Sequence, residues 1–171
     1  MTILIQSFVL IQVQSFKAST FRGNLYYDVF MKDHLNVAPE VYQGSGIIYC
    51  RTRDECDQVA QMLSIAHIRC LSYHAGLSNK MRDEVQNKWM KNEIPVIAAT
   101  IAFGMGIDKP DVRFVVHWTC PQNLAAYYQE SGRAGRDGQR SYCRIYYSQS
   151  DKDFLHFLVK RDLAMLKVVA V

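Results

Sequence analysis

From residue 44 onward the sequence alternates short, unbroken apolar runs with amphipathic stretches of helical period, and that alternation leaves few folds open. Gly46-Ile-Ile-Tyr-Cys50, Arg69 to Tyr73, Val96-Ile-Ala-Ala99, Arg113-Phe-Val-Val-His117 and Tyr142 to Tyr147 are the strand candidates, with Asn24 to Val29 ahead of them. They are apolar at consecutive positions rather than at every second one, as in strands covered on both faces. Between them, Thr52-Arg-Asp-Glu55 has the form of a capping box, and Val59, Met62 and Leu63 continue as one helical stripe. Ser78 opens a polar helix through Met81, Val85, Trp89 and Met90 that ends near Pro95. Leu124 to Ser131 is helical, and Ser150-Asp-Lys-Asp153 opens a final helix. The pattern predicts an α/β fold, a three-layer α/β/α sandwich on a mainly parallel sheet. In such sheets ligands bind beyond the carboxyl ends of the strands, so function is sought in the loops that follow them.

Composition narrows the class. A length of 171 residues suits one domain, and 49% hydrophobic residues exclude intrinsic disorder. No apolar run approaches the ~20 residues of a bilayer span, so no membrane partner is expected. The net charge of +4 permits a polyanionic partner without demanding one. Five cysteines without a C-x-x-C pair give neither zinc-ligand spacing nor a disulfide framework. Cys50, Cys70 and Cys143 lie in apolar runs and are expected to be buried thiols in a reducing compartment. The apolar first thirteen residues lack a basic start and a cleavage site, so they are expected to form an extension or edge strand rather than a targeting signal.

The chemistry starts from an absence: no phosphate-loop pattern occurs, nor a complete G-x-G-x-x-G, nor a G-x-S-x-G elbow. The most unusual stretch is Tyr127-Tyr-Gln-Glu-Ser-Gly-Arg-Ala-Gly-Arg-Asp-Gly138. Its two arginines, Arg133 and Arg136, stand among glycines after a helical segment, as fixed charged forks suited to phosphate oxygens. The plainer reading is a surface loop with those arginines paired to Glu130 and Asp137. The segment Ala98 to Lys109 leaves a strand with small residues around Gly104 and Gly106, a Thr100 hydroxyl and an Asp108 carboxylate, and suits a phosphodiester or an ordinary turn equally. Thr52 and Arg53 follow one strand and His74 and Gly76 another, as anion-compatible groups. Thr52 is also explained as a helix cap, and His74 as a hydrogen-bonded loop residue. Together these segments predict four loops converging at the carboxyl edge of one sheet. Trp89, Trp118, Tyr146 and Tyr147 are expected to pack rather than to stack on bases.

In order along the chain, these segments resemble the second RecA-like lobe of a superfamily 2 helicase, specifically of the RecQ family of DNA helicases. Gly46 to Ala60 is similar to motif IV, and Tyr73-His-Ala-Gly-Leu77 to the family's Y-H-A-G-L. Ala99 to Phe114 is similar to motif V, and Gln129-Glu-Ser-Gly-Arg-Ala-Gly-Arg-Asp-Gly138 matches motif VI throughout. Phe21 to Val29 resembles the first strand of this lobe.

The resemblance implies a 3′ to 5′ motor in which ATP with Mg²⁺ sits between two lobes. The first RecA-like lobe, a partner here, would carry the phosphate loop and hold the metal. Arg136 would be the arginine finger and Arg133 its partner, both catalytic, with Gln129, Gly106 and Asp108 also at the ATP. Thr52, Arg53, His74, Gly76, Thr100 and Gly104 would face single-stranded or partly unwound DNA. The implied place is the nucleus, or the cytoplasm in a prokaryote. On this reading residues 1–19 are an extension of uncertain structure and 20–160 the helicase C-terminal lobe. Residues 161–171 are a tail that stops before the family's usual four-cysteine module, so no zinc is expected in this chain. The competing reading is a non-catalytic RecA-like module that binds nucleic acid or a protein partner. An RNA helicase lobe is disfavoured by the Gln-Glu-Ser opening of motif VI.

Overall fold

The computed structural model describes residues 22–32, 43–104, 107–154, 156–157 and 159–160. The expected extension (1–19) and tail (161–171) lie outside them, as does Gly106. Six strands form one sheet: β1 (Leu25–Met31), β2 (Ser45–Tyr49), β3 (Cys70–Tyr73), β4 (Val96–Ala99), β5 (Val112–His117) and β6 (Ser141–Tyr147). Their order is β1-β6-β5-β2-β4-β3, and every pairing is parallel. Helices α1 (Arg53–Ile65), α2 (Asn79–Met90) and α3 (Leu124–Ser131) follow β2, β3 and β5. Residues 149–154 are helical again, with Asp151 N–H donating to the Ser148 hydroxyl.

The consecutive apolar runs follow from burial on both sides of the sheet. Ile47, Ile97 and Val115 point into one core with Val85 and Trp89 of α2 and with Phe103 and Ile107. Ile48, Ala98 and Val116 point into the other with Cys56 and Val59 of α1. Right-handed crossovers account for the split, because β2 to β3 runs one way across the sheet while β3 to β4 and β5 to β6 run back. Helix starts follow the sequence closely. Thr52 accepts from Glu55 N–H while Glu55 accepts from Thr52 N–H, the full capping box. Ser78 and Asn123 cap α2 and α3 by accepting from Met81 and Ala126 N–H, without a returning side-chain bond.

Two stripes are narrower than their periodicity suggests. Met62 is exposed while Cys56 and Val59 are buried, and Leu63 is partly buried against that core. On α2 the buried pair is Val85 and Trp89; Met81, a turn nearer the carboxyl edge, and Met90, which the helix turns about 100° past Trp89, are exposed. Cys50, Cys56, Cys70 and Cys143 are buried free thiols, and Cys120 is half-buried. Burial lifts Cys70 and Cys143 to about 12, too high for thiolate chemistry near neutrality.

Candidate functional site

Three of the four expected loops do gather at the carboxyl edge. There Cys50 N–H donates to Ala99 O, Thr100 N–H to Tyr73 O and Trp118 N–H to Tyr49 O, stitching the strand ends together. Arg53 opens α1 on this rim. Gly76 sits against both Arg53 and His74: a Cβ on it would lie 3.0 Å from His74 Nδ1 and 3.3 Å from Arg53 Cδ. His74 is buried, accepts from Gly76 N–H at Nδ1 (3.2 Å) and meets Asp57 at Nε2 (3.3 Å). Thr52 spends its hydroxyl on the α1 cap. The rim thus combines a cation, exposed backbone and the first amides of a helix, a set suited to anions.

The fourth loop is elsewhere, and this corrects the expected convergence. A loop that follows a helix and precedes a strand in an all-parallel sheet must lie at the amino edge. Gly135 N–H accordingly donates to the carbonyl of Val112, the first residue of β5, at 2.8 Å, and Asp137 N–H to Pro110 O at 3.2 Å. The arginines therefore do not project from the carboxyl rim. Both lie against the loop that descends from β4 to β5.

Arg133 Nη1 donates to Gly104 O at 2.5 Å, and its guanidinium occupies the space beside that glycine. A Cβ on Gly104 would fall 2.3 Å from Arg133 Cζ, and the glycine has φ +137°. Gly104 is buried under this side chain, which removes it from the residues facing nucleic acid; lacking a Cβ, it serves as a seat for an arginine. Arg133 Nε is buried with no hydrogen-bond partner among the described residues. A donor left so costs about 1–3 kcal/mol, the kind of unfilled demand a bound group can meet.

Arg136 is more open. Its Nη1 donates to Ile107 O (3.1 Å) and to Asp108 Oδ1 (2.8 Å). The side chain is 35% exposed and that of Asp108 87%. So exposed an ion pair contributes about 0–1 kcal/mol, so a phosphate could take the place of Asp108 at little cost. Asp108 thus stands beside the arginine pair, while Gln129 is exposed on the last turn of α3.

The plainer pairings of the arginines do not form. Asp137 binds Arg113 through both oxygens (2.6 and 2.7 Å), and that bond from Arg113 holds its carboxyl below the usual range. Glu130 meets His117 at 2.7 Å, both buried. The His117 ring stacks on Tyr49 and meets Tyr127 edge-on. Tyr49 donates to Phe103 O (3.1 Å), and its hydroxyl is lifted to about 12 by burial, offset in part by Arg133. This buried couple joins the last turn of α3, just before the arginine loop, to the carboxyl end of β5. A histidine closing the apolar run Phe114-Val-Val was the available signal, because once buried it needs a partner. Glu130→Ala, which strands His117, is expected to cost about 1–3 kcal/mol in urea unfolding, and Glu130→Gln distinctly less.

Among the described residues no group of three or more His, Cys, Asp or Glu side chains could hold a metal ion, and no helix is long and apolar enough to cross a membrane.

The helicase conserved C-terminal domain family matches residues 31–138. Rat ATP-dependent DNA helicase Q5 is 47% identical over 175 residues, covering 91% of this chain and 18% of the rat protein. The RecQ-like DNA helicase blm-1 of Caenorhabditis elegans is 48% identical, covering 85% of this chain and 15% of its own length. The chain therefore spans less than a fifth of either relative. Among solved structures, a variant of Saccharomyces cerevisiae Dbp5 has a TM-score of 0.68 at 20% identity, covering 84% of this chain and 40% of that one. A DEAD box protein from Methanococcus jannaschii has a TM-score of 0.60 at 24% identity, covering 71% and 34%. These likenesses carry the fold: a RecA-like helicase C-terminal lobe.

Proposed function

Since the chain belongs to the helicase conserved C-terminal domain family, in its RecQ branch, we propose that it acts as the second motor lobe of an ATP-dependent, 3′ to 5′ DNA helicase. A first RecA-like lobe would bind ATP and Mg²⁺ and supply the phosphate-loop chemistry that this sequence lacks. The contribution of this chain is charge and position. Arg136 would exchange Asp108 for the γ-phosphate, and Arg133, seated on Gly104, would stand beside it against the charge that develops during transfer. Asp108, once released, is placed for a ribose hydroxyl, with Gln129 at the margin of the same surface.

The observation that carries this reading is the meeting of the two segments: both arginines rest on the loop between β4 and β5. That loop begins at the carboxyl rim, where Thr52, Arg53, His74, Gly76 and Thr100 would hold a single strand by its sugars and phosphates. One loop then touches both ligands, so lobe closure around ATP can move the strand. Contacts to the backbone alone make binding salt-dependent and nearly indifferent to sequence. The named relatives are DNA helicases, which favours DNA as the polymer and the nucleus as the place.

The test is turnover. The 171-residue chain alone should show negligible ATPase, with or without single-stranded DNA. Joined ahead of residue 20 to the first lobe of a RecQ-type relative, it should hydrolyse ATP, with DNA a better stimulus than RNA. Salt-sensitive strand binding without turnover in that fusion would favour the non-catalytic module.

A further inference from the structure

We propose that Arg22 and Asn24 are positioning residues for the arginine pair, holding from outside the glycine-rich loop on which Arg133 and Arg136 stand. This rests on the functional reading above, but the contacts are independent of it. Arg22 Nη1 donates to Gly132 O at 2.9 Å, and Arg22 Nη2 donates to Gly135 O. Those two carbonyls belong to the peptide units that lead directly into Arg133 and Arg136. One planar guanidinium therefore spans both branch points, and its fork has a fixed spacing that a lysine ammonium cannot reproduce.

Asn24 completes the clamp. Its Nδ2 donates to Gly135 O (2.8 Å) and to Gln139 O (2.9 Å), while its own carbonyl accepts from Ser141 N–H (2.9 Å). Gly135 has φ +55°, and a Cβ there would meet Asn24 Nδ2 at 2.5 Å and Gln139 O at 2.7 Å. The residue is enclosed on the side where the first strand begins.

Glycines at 132, 135 and 138 give this backbone wide conformational freedom. The loop's own turns (Arg133 N–H to Glu130 O, Ala134 N–H to Ser131 O and Gly138 N–H to Gly135 O) shape it locally, and contacts from outside fix where it stands on the rest of the fold. From within, Val112 O and Pro110 O hold the 135–137 amides; from without, Arg22 and Asn24 hold the carbonyls. Gly132 is also the C-cap of α3, where a cation favours the helix terminus. A capping role alone would affect stability only. A positioning role also predicts a loss of turnover without a matching loss of ATP binding.

Two measurements separate these. In the 171-residue chain, hydrogen exchange of Arg22→Ala should show the 133–139 amides opening at least about tenfold faster, with the Ile47 and Ile97 amides unchanged. Asn24→Asp should do the same to a smaller degree. In the two-lobe fusion, Arg22→Ala should lower kcat at least about tenfold with KM for ATP within about twofold, and Arg22→Lys should recover part of the loss. Unaltered loop exchange in both variants overturns the clamp whatever the ATPase does. Faster exchange with an unchanged kcat overturns the positioning role. An unsubstituted fusion without turnover defeats the motor reading, and this proposal falls with it.

Discussion

Arg136→Ala in the two-lobe fusion is expected to reduce ATP turnover a thousandfold or more while shifting ATP affinity by no more than about threefold. The asymmetry follows from where the guanidinium rests. Before the transition state it has an adequate partner in Asp108 and the Ile107 carbonyl, so its transfer to a ground-state phosphate gains little. Once charge shifts onto the transferring group inside a closed cleft, no such substitute exists, and the interaction grows in a water-poor setting. An interaction stronger in the transition state than in the ground state appears in kcat and leaves binding nearly untouched. Asp108→Ala gives the complementary control. Releasing Arg136 from its resting partner should leave turnover within an order of magnitude of the parent, because any ribose contact it makes is a binding term. Single-turnover hydrolysis and nucleotide binding together check the pair. A turnover unchanged in Arg136→Ala would remove the finger assignment, and equal losses in affinity and rate would make Arg136 a binding residue only.

What the sequence displayed was local. The central strands β2, β4 and β5, buried on both faces, announce themselves as consecutive apolar residues, and all six strands, the largely exposed β1 included, appear within two residues of their expected limits. Capping signals at Thr52 and Ser78 placed two helix starts correctly, since a cap is a contact between residues three apart. What was hidden was long-range. The composition of the arginine loop does not carry its edge; the parity of a parallel sheet fixes it: after a strand the carboxyl edge, after a helix the amino edge. The partners of its charges were hidden for the same reason. Glu130 and Asp137 are sequence neighbours of the arginines, yet they bind His117 and Arg113 from a neighbouring strand. Arg22, more than a hundred residues away, binds the backbone of the same loop at Gly132 O and Gly135 O, a contact that no local pattern displays. Gly104 shows the same limit in another form. A glycine beside a phosphate and a glycine beneath a guanidinium look alike until the side chain that fills the missing Cβ is known.

Gly104→Ala is accordingly expected to be among the most damaging single-methyl changes in the chain, lowering turnover of the two-lobe fusion about a hundredfold or more, the size of effect seen when one transition-state donor is lost. Two physical causes act together. The new Cβ would sit 2.3 Å from Arg133 Cζ and 2.4 Å from Nη2, so the guanidinium must leave its seat. At φ +137° the backbone is also one that alanine resists, at a cost of about 1–3 kcal/mol. Strain alone would lower stability and leave the chemistry intact in the molecules that remain folded, so unfolding and turnover must be measured on the same preparations. The decisive comparison is a double-mutant cycle with Arg133→Ala. If Gly104 acts by seating Arg133, the double variant is no slower than Arg133→Ala alone, because a seat without an occupant has nothing further to lose. The alanine at 104 is then expected to be tolerated better, since the clash departs with the guanidinium. Losses that multiply would instead show that Gly104 serves another part of the loop, such as the descent toward Ile107 that sets Arg136, and would break the link between the two arginines on which the shared pocket depends.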